Sequence, residues 1–388
     1  MRAKHCMTIS LLCLLALATT AMAEKPSIDL DWYGYVKLDA SYDQNPTSHG
    51  NFVMWVKPQS LQQDNSQFNM THKSTRFGLK AAGKGYERVT VGGKLEFDMY
   101  GSGGTENKAM LLLRHAYFTV KAGRVMLLAG QSWDLISPLN PSTLNYPVMW
   151  GGGNIQYRRP QVSLFYTMAS NESTNVTAAA GFFRTIGSDL TPTFSLATGE
   201  AADGIDDGTD AAVPSFQGRL DVKHKFESGT SLRVGVSGLW GQLKSETNQG
   251  NSEKYESSGL MGHLMVSLAN GAGFSGEFFS GSNLGSYFGG VLNGNRIDGL
   301  KAKGGWVSAW VKPHKKVKLT SGFGMDDPDD ADLGPGNRSK NQAFFGNLKY
   351  TLVPAVTLGV EVSQWETSYL DADAAKATRV ESSFILNF

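Results

Sequence analysis

The sequence predicts an all-β fold: a transmembrane antiparallel β-barrel of about 16 strands, with long outer loops and short periplasmic turns. Three observations predict it. Many segments alternate apolar and polar residues with a period of two, which is typical of strands with one apolar face. No apolar segment of helix length follows residue 23. Short turns alternate with long polar loops, and a chain that crosses a membrane without apolar helices must satisfy its backbone by closing a barrel.

Residues 1–23 are predicted to be a secretory signal peptide. A basic start precedes the apolar stretch 9–17, and small residues lead to a cleavage site after Ala23. The apolar stretch is shorter than the roughly 18 residues that a membrane-spanning helix requires. The sequence therefore divides into a signal peptide and one barrel domain, residues 24–388.

Charge and cysteine content exclude several classes of function. The chain has 36 basic and 35 acidic residues, so its charge gives no sign of a highly charged partner, and we expect no nucleic-acid partner. Both cysteines, Cys6 and Cys13, fall within the predicted signal peptide. The barrel domain is therefore expected to lack disulfides, zinc sites and thiol catalysis, and we expect no cofactor.

The first predicted strand, residues 28–42, shows the clearest alternation. One face is apolar from Ile28 to Tyr42. The other face carries all the charges of the strand: Asp29, Asp31, Lys37 and Asp39. In a barrel the charged face is expected to line the lumen and the apolar face to contact lipid.

The same alternation continues to the end of the chain. The further predicted strands are 71–82, 89–100, 110–121, 125–133, 154–169, 176–186, 215–227, 231–244, 257–268, 273–281, 304–312, 317–325, 342–352, 356–369 and 377–388. The long loops are predicted at 43–70, 134–153, 187–214, 282–303 and 326–341. Aromatic residues near strand ends are predicted to face outward as an interfacial girdle: Trp32, Phe97, Phe226, Trp240, Trp306, Trp310 and Phe388.

Two features of the sequence resemble a known family. The ending Phe384–Phe388 resembles the C-terminal signature of Gram-negative outer-membrane proteins, and the length and strand count resemble those of trimeric 16-stranded porins. The stretches Leu112–Tyr117 and Leu128–Trp133 are most similar to the DcaP-like porins, whose members take up small carboxylates. This resemblance implies a homotrimer in the outer membrane, in contact with its lipid and lipopolysaccharide. It also implies a passive, water-filled channel for small hydrophilic solutes.

The predicted loop 134–153 is a candidate constriction, because in such porins the third long loop folds into the barrel and narrows it. The residues expected to form the constriction are Asp134, Pro138, Tyr146 and Trp150. The loop is unusually apolar for a connection, which predicts burial. Packing at the rim or against a neighbouring subunit is the alternative. Asp134 is the only carboxylate in the loop, so an acidic constriction is not predicted.

Basic residues at inward positions are the candidate selectivity residues: Arg76, Lys80, Lys94, Arg114, Arg219, Lys223 and Arg233. Arg158 or Arg159 is expected to join them, but Pro160 interrupts the alternation and leaves open which one faces the lumen. Guanidinium groups bind carboxylates through two parallel hydrogen bonds, so these residues predict a preference for anions such as small carboxylates. Alternatively, they pair with inward carboxylates, of which the candidates are Asp29, Asp31, Asp39, Glu96, Asp98 and Asp221.

Other classes of protein remain as alternatives. A secreted β-sandwich or propeller would share the alternation without contacting lipid. An outer-membrane hydrolase would need a serine beside His115 or His224, and the sequence contains no Gly-x-Ser-x-Gly motif. A closed structural or adhesin barrel would pass no ions. The acidic stretches 200–210 and 326–332 lack the spacing of an EF-hand, so they are expected to be solvated; a loose divalent-ion site that bridges lipopolysaccharide is the alternative.

Overall fold

A computed structural model describes residues 27–61, 65–85, 88–104, 108–192 and 200–388. The predicted signal peptide, residues 1–23, lies outside the described residues. Among the described residues the only α-helix is α1 (Asp207–Asp210), and no helix is long and apolar enough to cross a membrane.

The strands follow one another around a single barrel wall. They are β1 (Ile28–Asp43), β2 (Thr47–His49), β3 (Phe52–Val56), β4 (Gln67–Thr71), β5 (Arg76–Lys84), β6 (Val89–Asp98), β7 (Leu112–Ala122), β8 (Val125–Trp133), β9 (Arg158–Ser170), β10 (Thr174–Phe183), β11 (Ser215–Lys225), β12 (Ser231–Glu246), β13 (Ser252–Ser267), β14 (Gly273–Ser282), β15 (Lys301–His314), β16 (Val317–Pro328), β17 (Arg338–Val353), β18 (Val356–Tyr369) and β19 (Ala372–Asn387). Strands β2 and β3 form a separate hairpin in the first long loop.

The barrel closes between its first and last strands. Strand β1 pairs with β19 in an antiparallel register, and it pairs on its other side with both β4 and β5. Since β4 and β5 are therefore two parts of one wall strand, the wall is a closed antiparallel barrel of 16 strands. The predicted fold class is confirmed.

The two faces of the wall differ as the alternation predicts. In β19, Val380, Phe384 and Leu386 are exposed on the outer face, whereas Arg379 and Glu381 are buried inside. Short connections such as 315–316 and 354–355 join strands at one end, and long segments such as 283–300 join them at the other. In an outer-membrane barrel the end with short turns is periplasmic.

Several strands extend further toward the outer end of the barrel than predicted. Strand β13 begins at Ser252, β17 at Arg338 and β19 at Ala372, each several residues before the predicted start. These extensions present no large apolar side chain on the outer face, so they lack the apolar alternation that marks a segment crossing lipid. Strand β9 instead begins late, at Arg158, because the residues before it belong to the preceding loop.

The outward direction predicted for two of the girdle residues, Trp306 and Trp310, is wrong. Trp306 is buried inside the barrel, with Ser308 on the same face of β15, while Val307 and Val311 are exposed outside. Trp310 also faces inward, where its ring lies 5.4 Å from the Lys318 ammonium group. The amphipathic indole ring suits either surface, so aromatic identity alone did not determine the direction.

Candidate functional site in the barrel lumen

The segment 134–157, called here the lumen loop, folds into the barrel and follows its inner wall. The Leu139 N–H donates to Glu277 of β14 (2.8 Å), and the Ser137 hydroxyl donates to the same carboxylate. Further along, the Leu144 N–H donates to Glu361 of β18 (2.7 Å). Neither glutamate has an ion-pair partner among the described residues. Two wall carboxylates therefore hold the loop by accepting its backbone donors.

Apolar side chains explain why the loop stays inside. Met149 joins a buried cluster with Trp365 and Phe345 of the wall, and Trp150 stacks on Phe288 with ring centroids 4.4 Å apart. Burying such side chains favours the inserted position by roughly 1.5–3 kcal/mol each. The loop thus packs within its own barrel.

Asp134 lies where the loop leaves β8, and it is fully buried. Arg159 approaches it with its Nε 2.8 Å from a carboxylate oxygen, and the guanidinium group lies 4.0 Å from the Tyr287 ring. Gln217 donates a further hydrogen bond to Asp134 (2.7 Å). Burial raises the pKa of the Asp134 carboxyl, and Arg159 opposes that rise. Asp134 therefore anchors the start of the loop.

Three of the predicted basic residues converge on two carboxylates of β6. Glu96 lies 2.9 Å from Lys94, 2.8 Å from Arg114 and 3.7 Å from Arg76. Arg114 also contacts Asp98 at 2.5 Å. Each charge of this group therefore lies in an ion pair, although three basic residues against two carboxylates leave a net charge of about +1.

The same group reaches the lumen loop through Tyr146. Its hydroxyl donates to Asp98 (2.9 Å) and accepts from Arg114 (3.2 Å). Arg114 is the residue skipped in the register between β6 and β7, which is a local bulge. Lys80 lies nearby, with its ammonium group 4.6 Å from the Tyr33 ring.

The other basic residues stand together on the wall formed by β11 and β12. Arg233 contacts Asp221 at 2.8 Å, and His263 contacts the same carboxylate at 2.8 Å. Arg219 donates to the Leu135 carbonyl (2.9 Å). Lys223 faces Arg233 across the two strands. Among the described residues, neither Arg219 nor Lys223 lies in an ion pair.

Two cavities open beside this wall. One of about 250 Å³ separates the lumen loop from the wall, and Pro138, Arg219 and Arg233 line it. The other, of about 320 Å³, lies near the short turns and is lined by Lys223, Lys225 and Arg233. Arg233 lines both cavities, so they follow one another along the same basic surface.

Arg158 and Arg159, of which the sequence left open which one faces the lumen, both lie inside the barrel. Arg159 is neutralised by Asp134. Arg158 is only 4% exposed and packs against aromatic rings, with its guanidinium carbon 4.6 Å from Trp133 and 6.0 Å from Trp150. It has no ion-pair partner among the described residues. Strict alternation fails here because β9 begins where the loop is still inside the barrel.

The acidic stretches contain two buried carboxylates, which corrects the expectation that they are solvated. Asp326 belongs to β16, faces inward and accepts the Val291 N–H (3.0 Å). Asp207 accepts the Tyr255 hydroxyl, and burial raises the pKa of Asp207 to about 6. The described residues contain no group of three or more His, Cys, Asp or Glu side chains that could hold a metal ion.

The candidate histidines have ordinary packing roles. His115 is buried, with its ring 5.8 Å from that of Trp133 and its Nε2 3.9 Å from Glu96. His224 lies 2.8 Å from the Thr174 hydroxyl. The roles of Glu277 and Glu361 were missed in the sequence, since nothing in their neighbourhood distinguishes them from other inward polar residues.

A closed barrel with an apolar outer face, a charged lumen and an inserted loop defines the class of outer-membrane channel proteins. The model of the Gram-negative porin family matches residues 10–370, so the chain belongs to that family and is located in the outer membrane. A search of curated proteins finds no match.

Solved structures share the fold. The outer-membrane channel DcaP of Acinetobacter baumannii matches with a TM-score of 0.71 and 20% identity, covering 95% of this chain and 100% of that one. The anion-selective porin from Comamonas acidovorans has a TM-score of 0.56 and 12% identity, covering 93% and 100%. OmpT of Vibrio cholerae in its trimer form has a TM-score of 0.55 and 11% identity, covering 93% and 100%. These identities show a common fold and no more.

Proposed function

We propose that the protein is a passive, water-filled channel for small hydrophilic solutes that prefers anions such as small carboxylates. The observation that carries this proposal is the basic surface of Arg219, Lys223 and Arg233 beside two successive cavities. A solute on this route would pass between the lumen loop and the wall formed by β11 and β12.

The balance of charge along this route favours anions. Three carboxylates stand along it: Asp221, which Arg233 and His263 already occupy, Asp134, which pairs with Arg159, and Glu172, which lines the second cavity together with Lys223 and Lys225. The basic residues outnumber them. Arg219 and Lys223 therefore leave an excess of positive charge. In a confined lumen such an excess raises the local concentration of anions. The Comamonas acidovorans protein of similar fold is an anion-selective porin, which is consistent with this preference.

Solute flux into liposomes that contain the purified protein tests the proposal. Acetate and succinate are expected to enter faster than methylammonium and a diammonium ion of similar size, because the basic surface concentrates anions. Equal rates for both signs would contradict the anion preference. No flux of any small solute would contradict a channel and favour a closed structural barrel.

We further propose that the protein is a homotrimer in contact with lipopolysaccharide. One related fold, OmpT of Vibrio cholerae, is described in a trimer form. Light scattering on the detergent-solubilised protein should give three times the mass of one chain after subtraction of detergent. A single-chain mass in several mild detergents would contradict the trimer.

A further inference from the structure

We propose that a depression on the outer face of the barrel binds the phosphorylated sugar headgroup of lipid A, the membrane anchor of lipopolysaccharide. The inference rests on the proposed contact with lipopolysaccharide. It does not depend on ion preference in the lumen. The starting observation is a group of polar and basic side chains on the outer face of the barrel, away from the proposed route for solutes.

The register of the strands places these polar side chains in two adjacent rows. Ser258 of β13 is opposite Ser282 of β14, which is opposite Lys301 of β15. In the next row Ser280 of β14 is opposite Lys303 of β15. All five positions lie on the outward face of their strands.

The rows border an open depression of about 800 Å³. Its floor consists of residues with little or no side chain, including Gly259, Gly281 and Ala302. Leu260 forms part of the rim and is 74% exposed. Its size suits a sugar headgroup better than a single ion.

The depression lies at the height of the outer headgroups. Strand β15 has 14 residues, and Lys301 is at its end away from the short turns. A strand tilted by about 40° rises roughly 2.6 Å per residue across the membrane, so both lysines lie roughly 30 Å above the periplasmic end. An apolar band of a barrel is about 25 Å tall, which places the lysines just beyond its outer edge.

Each part of the site matches one part of the lipid. Lys301 and Lys303 are exposed and can bind a phosphate group. The serine hydroxyls can hydrogen-bond to sugar and amide oxygens. Below them Phe278 and Val307 are exposed on the outer face, where acyl chains would lie.

Acidic side chains limit where a phosphate can sit. Asp327 lies 4.0 Å from Lys303, and Asp329 and Asp330 also line the depression. All three belong to β16 or the loop after it, on the side of the lysines away from the serines. A phosphate is therefore expected on the serine side, where no carboxylate lines the depression.

Binding of purified lipid A to the detergent-solubilised protein tests the proposal. Native mass spectrometry would compare the unmodified chain with a double variant that carries both Lys301→Gln and Lys303→Gln. Each protein is tested with diphosphorylated lipid A and with lipid A stripped of phosphate. The double variant is expected to bind diphosphorylated lipid A about tenfold more weakly or worse, because two phosphate contacts are lost. Both proteins should bind the stripped lipid equally.

The matched control is a double variant that carries both Lys340→Gln and Lys376→Gln. These two lysines also face outward but do not line the depression. Undiminished lipid A binding by the Lys301 and Lys303 double variant would overturn the proposal, as would an equal loss in the control. Complete competition by millimolar inorganic phosphate would also overturn it, because it would show a site for free anions. The zero-current potential of the double variant should stay unchanged, which separates this site from the proposed anion preference.

Discussion

Arg114 and Arg219 show how differently two inward arginines can behave. Arg114 is buried against Glu96 and Asp98, so its charge is matched before any solute arrives. Replacing it would leave the buried Asp98 without an ion-pair partner among the described residues, while Glu96 would keep Lys94; breaking such a buried pair typically costs about 3–5 kcal/mol. Arg219 lines a cavity and has no ion pair among the described residues. Its charge is available to a passing anion.

Removing the free charges should reduce anion preference without unfolding the barrel. We expect Arg219→Gln with Lys223→Gln to lower the chloride-to-potassium permeability ratio by about three- to tenfold, because two unpaired positive charges leave the route. The measurement is the zero-current potential in a planar bilayer under a salt gradient. Lys254→Gln, on the outward face of β13, is the control. An equal shift in the control would show that the lumen residues do not determine selectivity.

Asp207 should make one outer loop sensitive to pH. Its pKa is raised to about 6 by burial, above the usual value of about 4, so the folded loop binds the proton more tightly than an unfolded loop. This contribution to stability is complete below pH 4 and is lost as the pH rises through 6. Hydrogen exchange, corrected for intrinsic rates, should therefore show the backbone amides of 184–192 and 200–214 better protected at pH 4.5 than at pH 7.5.

Asp207→Asn provides the comparison for this effect. The amide does not titrate in this range, so protection in the variant should be nearly independent of pH. Nearby Asp206 keeps its own role as the cap of α1, where it accepts the Gly208 N–H. Identical pH profiles for the variant and the unmodified protein would exclude Asp207 as the cause.

Among the elements, the lumen loop depends on the wall strands that hold it. Glu277 and Glu361 each accept a loop N–H and a loop hydroxyl, from Ser137 and Thr143 respectively. Hydrogen bonds to a charged group contribute roughly 1.5–3 kcal/mol each. The position of the loop is therefore set by a few strong contacts together with its apolar packing.

Weakening both anchors should make the loop move. We expect Glu277→Gln with Glu361→Gln to give a larger and noisier single-channel current: both oxygens of each carboxylate accept from the loop, whereas an amide has one acceptor oxygen, so the loop loses contacts and spends time away from the wall. Glu366→Gln is the matched control on β18, since Glu366 contacts Gln342 and Lys376 rather than the loop. A steady current of unchanged size in the double variant would contradict this account of the loop.

The strands were predictable because lipid imposes one repeated pattern on the wall. Alternation located β1 to within a residue, and the closed barrel followed from the need to satisfy the backbone. The contacts of the lumen loop were not predictable. Glu277 and Glu361 meet it from strands more than a hundred residues away in the chain, and no local pattern encodes such a pairing. The inward direction of Trp306 was also mispredicted: its indole N–H donates to Glu277, which lies directly opposite it on the adjacent strand β14.

At the scale of the whole molecule, the inner surface divides into two regions of different charge. The charges around Glu96 and Asp98 lie in ion pairs, and this region is joined to the lumen loop by Tyr146. The region around Arg219 and Lys223 keeps its positive charge beside the cavities. The proposed route for solutes is therefore off-centre, along one side of the barrel.

The zero-current potential of the unmodified protein in a planar bilayer tests the central claim most directly. With a tenfold gradient of potassium chloride across the bilayer, the proposed route predicts a potential directed toward the chloride equilibrium value, because unpaired basic residues line it. A potential directed toward the potassium value would contradict the account. It would mean that the inner carboxylates or the acidic outer loops control which ions enter.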